Sequence, residues 1–302
     1  WKNERISILL GGCFDKHSLI KNSILSPRLN LRYNFNEVIG VRASYSSGFR
    51  APQVYDEDLH GSAIGGEIAF VQNNTNLKPE RSQSYSGSID INKTFGSVQT
   101  ELLIEGFYTN LDNVFFLEEK GTDTDGNLLL ERENGSGAIV QGINLEGKII
   151  PLQNLGFQMG LTFQKSEYKE AQQWSDNVNV LPQKRMFRSP DTYGYLTANY
   201  QVVKNMNISL SGTYTGSMLV QHFAGYIAED EESETPDFFD LNFKLSYDFI
   251  LKNNTKIQVN GGLQNIFNSY QKDFDKGILR DAGYIYGPSL PRSFSIGLKF
   301  II

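Results

Sequence analysis

The sequence predicts an all-β chain that forms a transmembrane antiparallel up-and-down β-barrel. Three observations predict it. Apolar and polar residues alternate strictly along several segments. The links between those segments are short and long in turn. The composition is rich in aromatics yet polar on average.

Alternation is the strongest signal. Phe239, Leu241, Phe243, Leu245, Tyr247 and Phe249 interleave with Asp240, Asn242, Lys244, Ser246 and Asp248. Successive side chains of a strand point to opposite faces, so this segment is a strand with one apolar side. Ile39 to Tyr45, Tyr85 to Ile91, Ile208 to Tyr214 and Phe294 to Phe300 repeat the pattern. Twelve strands are expected, near 4–13, 27–35, 38–50, 82–94, 98–117, 138–150, 155–168, 191–200, 206–221, 237–250, 256–268 and 292–302.

The links decide between a soluble sandwich and a membrane barrel. Those at 36–37, 95–97, 151–154, 202–205 and 251–255 are short and carry Asn, Gly, Pro or Lys, as tight turns do. Those at 14–26, 51–81, 118–137, 169–190, 222–236 and 269–291 are long. Short turns on one rim and long loops on the other mark a barrel of the bacterial outer membrane. With the last strand running inward, all six long links fall outside.

Composition agrees. There are 15 Tyr, 20 Phe and 28 Gly among 302 residues, and mean hydropathy is −0.36. No apolar run reaches the length of a membrane helix. A single cysteine, Cys13, excludes an internal disulfide. A net charge of −6 argues against nucleic acid as a partner. The N-terminus carries no apolar signal segment. No Gly-x-Ser-x-Gly or His-Glu-x-x-His occurs, so no enzyme is expected.

Four short motifs carry a resemblance. Phe49-Arg50-Ala51-Pro52 is followed by Asn76-Leu77-Lys78-Pro79-Glu80-Arg81-Ser82, then by Asn265-Ile266-Phe267-Asn268, then by Gly287-Pro288 and Pro291-Arg292-Ser293-Phe294. In order and spacing these resemble TonB-dependent outer-membrane receptors, although Thr75 stands where that family's second box has Pro. The resemblance implies that residues 1–302 are the C-terminal portion of a 22-stranded barrel plugged by an N-terminal domain. The plug, the Ton box and the first ten strands would precede Trp1, and 51–81 would be the seventh outer loop. Partners then include the plug, outer-membrane lipid, the TonB energy complex and, in some relatives, a surface lipoprotein.

The candidate substrate-binding residues lie in the long links. Tyr55, Asp56, Glu57, Asp58 and His60 form a dense outer stretch. Neutral imidazole suits haem iron, but the flanking acids would repel haem propionates. Asp56 and Asp58 are weak candidates for a loop-bound calcium, without a full calcium-loop pattern. His222 precedes an acidic run in which Glu231 and Glu232 are weak candidates for metal capture; such runs are ordinarily solvated. Trp174, Tyr226, Tyr284 and Tyr286 offer rings for stacking on a macrocycle or sugar, or for the interfacial belt. The expected function is binding and TonB-energised import of a large scarce nutrient, a metal chelate such as a siderophore, cobalamin or haem. A passive porin, a surface binding protein and a glycan or peptide receptor are the alternatives.

Overall fold

The computed structural model describes residues 3, 5–18, 20, 22–52, 69–125, 128–251 and 255–301. Eighteen strands occur among them: β1 (Ile6–Asp15), β2 (Ile24–Asn34), β3 (Ile39–Arg50), β4 (Ala69–Asn73), β5 (Glu80–Phe95), β6 (Val98–Asp112), β7 (Phe115–Thr122), β8 (Leu128–Asn134), β9 (Ala138–Leu152), β10 (Leu155–Gln172), β11 (Gln183–Arg185), β12 (Thr192–Val203), β13 (Met206–Thr215), β14 (Leu219–His222), β15 (Glu231–Glu234), β16 (Phe238–Ile250), β17 (Lys256–Gln264) and β18 (Ser293–Ile301). One large sheet runs β1-β2-β3-β5-β6-β9-β10-β12-β13-β16-β17-β18, with β11 paired to the far end of β10. Neighbours on this path are antiparallel throughout. The twelve expected strands are the twelve on this path.

Register keeps the two faces separate. Tyr45, Tyr85 and Tyr108 are consecutive Cα partners on the apolar face, with ring centroids 5.0 Å and 6.5 Å apart. Phe95 lies on the same face of β5 as Tyr85, ten residues further on, with the Lys93 ammonium 4.8 Å from its ring centroid. Phe239 and Phe249 are spaced alike on β16. Ten residues span roughly 33 Å along a strand, or about 25 Å across the membrane at the usual tilt. That is the height of a barrel's apolar band, with aromatics at both edges. Leu10, Phe294, Ile296, Leu298 and Phe300 are likewise exposed on strands. In water this would be untenable, whereas lipid makes it the stable arrangement.

Three expected strands end early. The segment 98–117 breaks after Asp112, where Asn113 takes a φ of 56°. The segment 206–221 breaks after Thr215, where a Cβ at Gly216 would meet the Thr192 carbonyl at 2.7 Å. The segment 256–268 ends at Gln264, with Asn265 and Asn268 at φ 49° and 54°. Asparagine tolerates this left-handed region better than other non-glycine residues, and it stops pairing there.

The long links hold structure of their own. β4 pairs in parallel with β8, and β8 antiparallel with β7, joining two links in a three-stranded sheet. β14 and β15 form a hairpin within the link after β13.

The four motifs act as staples. Arg50 and Glu80 are Cα partners at the outer end of β3 and β5, and they pair at 2.6 Å and 2.9 Å through two nitrogens. The backbone N of Phe115 donates to the same Glu80 carboxylate. Asn265 is buried: its Oδ1 accepts from Ser269 N (2.8 Å) and its Nδ2 donates to Leu290 O (3.0 Å). Asn268 Oδ1 accepts from Arg292 N at 3.0 Å, tying the third motif to the fourth.

Candidate binding site on the outer rim

Three long links, 173–191, 216–237 and 265–292, interlock on the outer rim. Trp174 stands edge-on to Phe187 and Phe223, at centroid distances of 5.7 Å and 5.4 Å. Its Nε1 donates to Glu232 at 2.9 Å, and Gln183 donates to the other oxygen of that carboxylate. The acidic run is therefore largely satisfied rather than free in solvent. Asp230 accepts from Ser175 and from the Ala224 backbone, Glu229 from Asn177 and Asn179, and Glu234 pairs with Arg185. Glu231 stays exposed.

His222 is buried. Its ring lies flat on Tyr284 at 3.6 Å between centroids, and its Nε2 sits 3.0 Å and 3.1 Å from the two oxygens of Asp275. The Asp275 side chain is almost wholly covered. Asp275 also accepts from Asp281 N, and Asp281 accepts from the backbone of Phe223 and Gly283. The Tyr286 hydroxyl donates to Asp273 at 2.6 Å. Burial, then the Asp273 carboxylate, pushes the Tyr286 phenol far up; burial also raises Tyr284. Both rings thus stay neutral donors well into alkaline pH.

Of the sequence candidates, Trp174, His222, Tyr284 and Tyr286 come together in this clasp, holding loop to loop. Tyr226 stands apart with 54% of its surface exposed. Tyr55, Asp56, Glu57, Asp58 and His60 lie outside the described residues. Among the described residues no group of three His, Cys, Asp or Glu could hold a metal, and Glu231 and Glu232 belong to no such group. Sequence reasoning missed Gln271, Asp273, Asp275, Asp281 and Arg188. Gln271 is fully buried, and its Oε1 accepts from the Tyr286 and Gly287 backbone. Arg188, at φ 57°, donates to the carbonyls of Gly283 and Ile285. Nothing in their local sequence marks these residues, because their partners lie far along the chain.

The same links carry exposed apolar residues: Val178, Leu181 and Ile278 are 92%, 76% and 83% exposed. A rigid base carrying exposed apolar residues and a free phenol can hold a large, partly aromatic solute by contact and hydrogen bonding.

The fold and rim together define a wall of a membrane β-barrel with built-up outer loops. The family model "TonB dependent receptor-like, beta-barrel" matches residues 1–266, and the chain belongs to that family of outer-membrane proteins. Solved structures agree in fold. A mutant ferric enterobactin receptor of Pseudomonas aeruginosa, PfeA, in complex with enterobactin, superposes with a TM-score of 0.69 at 16% identity, over 98% of this chain and 43% of that one. The siderophore receptor PirA of Acinetobacter baumannii gives 0.67 at 17%, over 98% and 43%. The ferric-catecholate import receptor Fiu of E. coli K12 gives 0.61 at 18%, over 91% and 34%. The chain thus spans less than half the length of these receptors. No curated protein matches its sequence. In such a barrel the apolar face meets lipid and the polar face lines the lumen.

Proposed function

We propose that the complete receptor binds a ferric siderophore of the catecholate kind at its outer rim and imports it, energised through TonB. The observation that carries this is family membership together with siderophore receptors as structural neighbours. A chelate brings its own iron ligands, so the rim needs apolar surface and hydrogen bonds rather than a metal-ligand set. The Tyr226 phenol and the exposed apolar residues offer both. The reading is of binding and transport with no covalent chemistry. Haem would rest on His60, since the Nε2 of His222 is committed to Asp275.

The test is uptake of radiolabelled iron as ferric enterobactin, by cells lacking other catecholate receptors and expressing the full-length protein. Saturable uptake that stops when TonB is deleted supports the proposal. A folded receptor that takes up no catecholate, but does take up haem, cobalamin, a glycan or a peptide, replaces the cargo. Tyr226→Ala is expected to weaken binding about tenfold, in line with loss of an aromatic contact and a hydrogen bond.

A further inference from the structure

We propose that Asp273, Tyr284 and Tyr286 form a binding site for a hard trivalent cation, ferric iron, on the outer rim. The last link, 265–292, supplies all three. The Tyr286 hydroxyl stands 2.7 Å and 2.6 Å from the two oxygens of Asp273, and the Tyr284 hydroxyl 3.4 Å from the second of them. The two phenol oxygens also reach each other, and Ser233 of β15 reaches that of Tyr284. A small octahedral cation with bonds of roughly 2.0–2.1 Å holds neighbouring ligand oxygens about 2.9 Å apart. The spacings of these oxygens bracket that edge. The phenols are essential: counting His, Cys, Asp and Glu alone, no group of three comes together among the described residues.

The donors select the ion. Phenolate is an iron ligand and, like carboxylate, a hard oxygen donor. One carboxylate and two phenolates carry three negative charges, which a trivalent cation neutralises and a divalent one does not. Burial of the Tyr284 ring favours the neutral complex, because net charge is penalised away from water. On binding, each phenol gives its proton to water and its oxygen bonds the iron, so two O–H bonds break and two Fe–O bonds form. The frame is built before the ion arrives. Gln271, fully buried, accepts from the Tyr286 backbone at 2.9 Å and donates to the Tyr284 carbonyl at 3.0 Å. The Tyr284 ring lies flat on His222, and the Tyr286 ring leans on Phe238. Outer contacts of this kind orient metal ligands and raise affinity. Asp273 is exposed, which gives the ion a way in. The site takes the cation itself and does not rest on the chelate-import reading.

The test uses the full-length receptor purified in detergent, with iron supplied as ferric nitrilotriacetate. Iron bound to phenolate absorbs visible light by charge transfer, a band that iron on carboxylates alone lacks. Wild type is expected to develop this band and to saturate with equimolar iron. Tyr284→Phe and Tyr286→Phe keep their rings, and each is expected to lower the band to about half and to weaken binding more than about tenfold. Asp273→Asn, at an exposed position, leaves the ring packing alone and is expected to weaken binding by a similar factor. Folding of each variant is checked by its shifted mobility on unboiled gels. A wild type without the band overturns the site, and that outcome needs no variant. A band unchanged in a folded Phe variant, or an affinity unchanged in Asp273→Asn, places the iron elsewhere and overturns it equally. Uptake of ferric enterobactin, measured in parallel, bears on the proposed cargo alone.

Discussion

Asn265 shows how one residue can be both a sequence signature and a structural lock. It is buried, its φ is 49°, and its side chain bonds Ser269 and Leu290. Asn265→Ala is expected to cost about 2–4 kcal/mol in urea unfolding from vesicles, because buried backbone groups lose their partners. The glycines divide by surroundings in the same way. A Cβ at Gly106 meets nothing within 4 Å on the lipid face, so Gly106→Val is expected to add about 0.5–1 kcal/mol through lower unfolded-chain entropy. A Cβ at Gly142 runs into the Phe163 carbonyl, so Gly142→Val is expected to lower folding yield in the same assay.

At the scale of elements, the rim clasp has an alkaline limit. The raised phenols of Tyr284 and Tyr286 mean that the folded state holds its protons after the unfolded chain has lost them. Their contribution is complete below the ordinary tyrosine range near 10 and declines as pH rises from there through the raised values. Loop protection against protease is expected to fall over that window, and Tyr286→Phe is expected to flatten the fall. A protease profile unchanged across the window would show that these phenols do not hold the loops. The strands of the large sheet were legible because a period of two with one apolar face is written into each segment by itself. The clasp was not. Trp174 meets Glu232 across 58 positions and Arg188 meets Gly283 across 95, so no local pattern announces either contact. Asn113, and Asn265 with Asn268, hid two strand ends and Gly216 a third, since their apolar neighbours continue the alternation past the break.

The molecule as a whole is an interface between two solvents, and its faces can be told apart by charge. Phe243→Lys, on the lipid side near mid-height, is expected to cost about 2–4 kcal/mol of stability in lipid vesicles. Ser246→Lys, three residues away on the lumen side, is expected to cost almost nothing. Equal costs would mean that the two faces of β16 are misassigned.

The Arg50–Glu80 pair has a consequence for how such a receptor can change. Because these residues are already partners, the link between them leaves and re-enters the wall at a single point. Lengthening a link closed in this way adds only about 0.6 kcal/mol for each doubling. The wall can therefore keep its register while the segment above the pair is exchanged, grown or trimmed. What the cell surface meets can evolve quickly on a frame that does not have to be refolded each time.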